Sequence, residues 1–114
     1  MIEQRFGEST PLSIGVEEEV MLLDAQSLAP IGAIRELLAE TDGLELPGTL
    51  KTELHASVVE LNTEICGSVE EAVAAIGVLR ARTSEALEGL GLVMAAAGSH
   101  PFAEPEELPI TDEK

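Results

Sequence analysis

The sequence predicts an α+β fold, with a largely antiparallel sheet and helices on one face. Three observations carry that expectation: segments in which apolar residues alternate with period two, one long stretch with three-and-four spacing opened by a capping serine, and the order strand, helix, two strands, long helix, strand with no internal repeat.

Residues 1 to 11 are polar and end in Ser9-Thr10-Pro11, which reads as a lead-in. From Leu12 the chain alternates, with Leu12, Ile14, Val16, Val20 and Leu22 on one face and Ser13, Gly15, Glu17, Glu19 and Met21 on the other, the period of a strand. Asp24 to Pro30 supplies a turn. Ile31, Ile34, Leu37 and Leu38 make the apolar stripe of a short helix over Ile31 to Glu40, ended by Asp42-Gly43. Extended segments follow from Thr49 to Leu54 and from Ser57 to Cys66. Ser68 is a good N-cap, and Glu70 and Glu71 fall in the first turn, where the helix dipole favours anions. A helix is therefore predicted from Val69 to about Glu88, its stripe made by Val69, Val73, Ile76, Leu79 and Leu87. Leu92 to Ala97 is apolar throughout and suits a buried strand. Gly98-Ser99-His100-Pro101-Phe102 leaves it as a tight loop, and the remainder from Glu104 reads as an acidic, Pro-rich tail.

The chain has 114 residues, one domain's worth, and 45% of them are hydrophobic, which argues against disorder. Phe6 and Phe102 are the only aromatic rings, so the stacking platforms of a single-strand nucleic-acid binder are missing. Twenty-two acids face six bases, giving a net charge of -16, and binding to phosphate backbones or anionic lipid is electrostatically opposed. No nucleic-acid or membrane partner is expected. Cys66 is the single cysteine, which fits a reducing compartment, and the start Met1-Ile2-Glu3-Gln4-Arg5 lacks the basic and apolar regions of a secretion signal. A cytoplasmic protein is the expectation. Cys66, between Ile65 and Gly67, reads as a small residue at a strand end.

Glu17-Glu18-Glu19 lies inside a strand pattern, which puts Glu17 and Glu19 on one face and Glu18 in the row of Val16 and Val20. Two carboxylates so close repel unless a cation sits between them, and bases are scarce here. Glu60, with Asn62 and Glu64 on its own face, repeats the arrangement. Glu53 stands seven residues earlier, an odd spacing, so the two converge only if the chain turns or bulges near His55-Ala56-Ser57. Four such carboxylates on neighbouring strands would suit Mg²⁺ or Mn²⁺, with water and phosphate completing the shell. The ordinary alternative is that these acids simply face water. His55 has no second ligand at metal spacing and reads as a turn residue.

Gly15-Val16-Glu17-Glu18-Glu19, then Thr52-Glu53-Leu54-His55-Ala56-Ser57-Val58-Val59-Glu60-Leu61-Asn62-Thr63, then Gly98-Ser99-His100-Pro101-Phe102-Ala103 resemble the successive N-terminal motifs of the family-2 glutamate-cysteine ligases, the bacterial carboxylate-amine ligases. The resemblance covers roughly residues 12 to 103. It implies part of a glutamine-synthetase-like catalytic fold, a curved antiparallel sheet whose concave face holds ATP and divalent metal. It also implies that Glu17, Glu19, Glu53 and Glu60 are metal ligands, and that His100, on the His-Pro loop, contacts the amino-acid substrate. No side-chain nucleophile is implied. ATP would phosphorylate a carboxylate such as that of glutamate, and an amine would then displace phosphate, the chemistry that begins glutathione biosynthesis.

Members of that family run to several hundred residues, so the sequence reads as the N-terminal portion of a single catalytic domain, not expected to be active alone and expected to self-associate through an exposed sheet edge or apolar face. Two other readings stay open: a non-catalytic acidic module that binds a divalent cation or a basic partner, and a plain acidic structural domain.

Overall fold

The computed structural model describes residues 3–112, and Met1, Ile2, Glu113 and Lys114, the outer ends of the predicted lead-in and tail, lie outside the described residues. Within them the predicted α+β architecture is present. Strand β1 (Glu17–Asp24) is followed by helix α1 (Ile34–Thr41), strands β2 (Gly48–Thr52) and β3 (Val58–Thr63), helix α2 (Val69–Gly89) and strand β4 (Leu92–Ala95), with a 3-10 turn at Pro105–Glu107. The four strands form one sheet in the order β2-β3-β1-β4, and every pairing is antiparallel. The first acidic strand therefore sits inside the sheet, flanked by β3 and β4.

The core lies on one side of the sheet. Val20 and Leu22 of β1, Val59 and Leu61 of β3 and Leu92 of β4 are buried against Ile34 and Leu37 of α1 and Leu79 and Leu87 of α2. Each such side chain contributes roughly 1.5–3 kcal/mol on leaving water. With rings scarce, that aliphatic layer holds the sheet to the helices. Helix α2 starts where the sequence puts it: Ser68 is its N-cap, and its hydroxyl accepts from the Glu71 N–H at 3.2 Å.

Five expectations need correction. The first strand does not start at Leu12, which adopts φ 63° and is fully exposed; a turn there (Ser13 N–H to Thr10 carbonyl) precedes the isolated pairing of Ile14 with Cys66. The first helix starts at Ile34, because Ile31 is held extended by its N–H bond to the Leu22 carbonyl. The buried stripe of α2 is Ala72, Ala75, Leu79, Thr83 and Leu87, whereas Val69 and Val73 face outward at 64% and 67% exposure. Alanine at the N-terminal half lets the helix approach the sheet closely, and the helical phase then turns the two valines away. Finally, the segment from Glu104 is not a free tail. Ala56 donates to the Pro109 carbonyl at 2.9 Å, Thr111 donates its N–H to the Leu54 carbonyl at 2.8 Å, and Ile110 bridges His55. Arg35 adds a bond to the Asp112 carbonyl at 2.9 Å. This strap clamps the turn between β2 and β3. Strands β2, β3 and β4 also end earlier than predicted, as residues 53–54, 64–66 and 96–97 lie outside them.

Candidate functional site

The face of the sheet opposite the helices carries the acids. Antiparallel register sets Glu19 directly across from Glu60, and Glu17 across from Asn62. On the other side of β3, Lys51 of β2 faces Glu60 and Thr49 faces Asn62. Alternation then makes two adjacent rows on one face, Lys51-Glu60-Glu19 and Thr49-Asn62-Glu17. Directly opposed residues stand ~4.5–5.5 Å apart at Cβ, so the Glu19 and Glu60 side chains leave the sheet from neighbouring positions on one face.

The predicted turn near His55-Ala56-Ser57 is present, closed by the Val58 N–H on the His55 carbonyl at 3.0 Å. It carries Glu53 to the end of the sheet, where a cleft of about 350 Å³ opens. Glu19 and Met21 from β1, Glu53, His55 and Ser57 from the turn, and Ser99 and His100 from the loop after β4 all line this cleft. The three motifs, separated along the chain, thus meet in one place. Glu17 and Glu60 lie on the adjoining sheet surface.

The four carboxylates do not close into one cage. Among the described residues, no group of three or more His, Cys, Asp or Glu side chains is disposed to hold a metal ion. Glu19 and Glu60 pair, Glu17 stands one row along, and Glu53 reaches Glu19 only across the cleft. A pair of carboxylates nevertheless matches the ordinary protein share of a Mg²⁺ site, in which one or two acids are joined by water and phosphate oxygens. The donors are all oxygen and two like charges stand opposed, and on those grounds the residues present fit a divalent ion.

His100 has both ring nitrogens engaged by backbone. Its Nδ1 accepts the N–H groups of Phe102 (3.3 Å) and Ala103 (3.1 Å), which fixes the proton on Nε2, and Nε2 donates to the Leu28 carbonyl at 2.8 Å. Phe102 stacks edge-on against the ring at 4.3 Å. The geometry gives His100 the work of shaping the loop, and the residue lines the cleft. His55, read from sequence as a turn residue, has a buried Nδ1 with no hydrogen-bond partner.

Sequence reasoning overlooked two residues. Asn62 is 6% exposed; its amide nitrogen donates to Glu60 Oε1 at 2.6 Å and its amide oxygen accepts from Lys51 Nζ at 3.3 Å. Lys51 is cross-strand to Glu60 only once the β2–β3 register is known, and no motif signals it. Glu18, in the row facing the helices, is paired bidentately with Arg80 of α2, through Arg80 Nε at 2.7 Å and a second bond to Oε1. Hydrogen bonding to Arg80 holds the Glu18 carboxyl below the usual carboxylate range despite the opposing effect of partial burial. Glu18 thus anchors α2 and leaves Glu17 and Glu19 to the open face.

The sheet thus has helices on one side and, on the other, opposed carboxylates beside a cleft where the three motifs meet. The comparison with known proteins places it further: the profile of glutamate-cysteine ligase family 2 matches residues 13–114, and the chain belongs to that family. A provisionally named glutamate–cysteine ligase 2-3 of Rubrobacter xylanophilus is 46% identical over 111 residues, covering 96% of this chain and 30% of the relative. A provisionally named glutamate–cysteine ligase 2 of Herpetosiphon aurantiacus is 40% identical over 93 residues, covering 82% of this chain and 24% of the relative. One of Rhodospirillum rubrum is 38% identical over 100 residues, covering 84% and 26% respectively. The chain therefore spans less than a third of the length of these relatives. No helix among the described residues is long and apolar enough to cross a membrane.

Proposed function

We propose that this chain supplies part of the cation- and nucleotide-binding face of an ATP-dependent carboxylate-amine ligase of the glutamate–cysteine type, on a glutamine-synthetase-like sheet, working in the cytoplasm on small-molecule substrates. The observation that carries the reading is the meeting of the three motifs at one cleft beside the Glu19–Glu60 pair.

Glu19 and Glu60 would hold Mg²⁺ or Mn²⁺, with Glu17 and Glu53 as further candidate ligands. The ion, when bound, neutralises the triphosphate and the transferring phosphoryl group. The protein's own part is to place those acids, and to shape the cleft through the His100 loop and the Glu53–Ser57 turn. A substrate carboxylate oxygen then attacks the γ-phosphorus of ATP, ADP leaves, and the amine displaces phosphate from the acyl phosphate to form the amide. No nucleophile from this chain is required, and Cys66, buried with its Sγ on the Glu64 carbonyl, takes no part.

Isothermal titration of Mn²⁺ into the chain tests the site, with the Glu19→Gln and Glu60→Gln variants weakening binding. Equal weak binding by all three proteins would instead favour acids that merely face water. For the longer protein, ATP-dependent phosphate release across a panel of amino acids identifies the acid and amine, and no release with any pair would refute the ligase reading.

A further inference from the structure

We infer that Asn62 is a positioning residue for the cation site, holding Glu60 in one orientation and keeping Lys51 from neutralising it. The inference rests on the reading of Glu60 as a cation ligand. Lys51 is the cross-strand partner of Glu60 and the natural candidate to form an ion pair with it. Instead its ammonium donates to the amide oxygen of Asn62, and the amide nitrogen donates to Glu60.

The direction of the amide is set by its neighbours. An ammonium only donates and a carboxylate only accepts, so Oδ1 must face Lys51 and Nδ2 must face Glu60. Asn62 is buried, and both ends of its amide are engaged, so its rotamer is fixed. One oxygen of Glu60 is thereby tied down and the other is left for an ion shared with Glu19. The same contact draws the Lys51 charge aside, where a direct pair would compete with a cation. Groups that orient metal-binding side chains in this way typically change affinity by about 10–100-fold when removed.

The test is Mn²⁺ affinity of the chain, measured by electron paramagnetic resonance, with circular dichroism as the check on folding. Asn62→Leu removes both hydrogen bonds while keeping the branch at Cγ, and Asn62→Thr keeps a strand-favouring residue too short to reach Glu60. Each is expected to weaken Mn²⁺ about tenfold. The double variant Asn62→Leu/Glu60→Gln is expected to bind no more weakly than Glu60→Gln alone, because the amide acts through Glu60; a general loosening of the sheet would add to the loss. Wild-type affinity in either folded Asn62 variant overturns the inference and leaves the Glu60 reading intact. Additive loss in the double variant, or failure of both Asn62 variants to fold, also overturns it. If Glu60→Gln binds Mn²⁺ as well as the wild type, the cation reading falls, and the role of Asn62 falls with it.

Discussion

Opposing two carboxylates across a strand pair should cost stability whenever no cation is present, and Glu19→Gln is the substitution that exposes this. Glu19 and Glu60 are register partners on the open face. At ~5 Å in water two unit charges repel by about 0.8 kcal/mol, falling to about 0.5 kcal/mol if the side chains splay to ~7.5 Å. Removing the Glu19 charge should therefore stabilise the metal-free chain by about 0.5–1 kcal/mol, a Tm rise of roughly 2–4 °C for a domain of this size. Thermal unfolding followed by circular dichroism in EDTA at low salt provides the measurement. The gain should shrink toward zero in 1 M NaCl, where the Debye length is ~3 Å. Glu17→Gln, whose cross-strand partner is the neutral Asn62, should gain less. With Mn²⁺ in excess the order should reverse, the wild type gaining more than the Glu19→Gln variant. An unchanged or lower Tm for Glu19→Gln in EDTA would refute the argument, since the two acids would then not be in uncompensated contact.

Arg80→Met should cost about 1 kcal/mol at pH 7, a bidentate pair at the upper end of the surface range because both side chains remain partly exposed. Glu18 is held below its ordinary pKa by Arg80, so this contribution is present above the unfolded carboxylate pKa of ~4.3 and lost as pH falls through the lower folded value; urea unfolding at pH 7 and pH 3 should show the difference closing in acid. Gly48→Ala should be severely destabilising, by about 3 kcal/mol or more, because a Cβ there would lie 1.9 Å from the Asn62 carbonyl oxygen, and denaturant midpoints compare it with wild type. The exposed valines Val69 and Val73 should tolerate serine within roughly 0.5 kcal/mol of stability, and sedimentation should show less self-association in the double variant.

Much of the fold is legible in the sequence because its signals are local. Ser68 with Glu70 and Glu71 marks the start of α2, and the alternation around Glu60 marks β3 and its acidic face. What escapes depends on packing. Choosing the largest apolar residues puts Val69 and Val73 in the core, yet close approach of helix to sheet selects Ala72 and Ala75. The strap from Pro109 to Asp112 has no period of its own and becomes extended only by pairing with the 53–56 turn. The site divides in the same way. Glu17 and Glu19 sharing a face follows from alternation alone, and the motifs point to a common pocket, but the match of Glu19 to Glu60 and of Lys51 to Glu60 is a fact of register. The full engagement of the His100 ring by backbone is likewise invisible until the loop and Leu28 are seen together.

The strand order has a consequence for how this sheet can assemble. The first of these four strands to be synthesised is flanked by two that are made later, one beginning at Val58 and the other at Leu92. Until those arrive, Val20 and Leu22 have no sheet neighbours to cover them and the acidic residues beside them have no register. Contacts between distant parts of a chain form slowly and leave apolar surface open to misassembly in the meantime. A nascent chain halted before β4 should therefore be the species most dependent on chaperones.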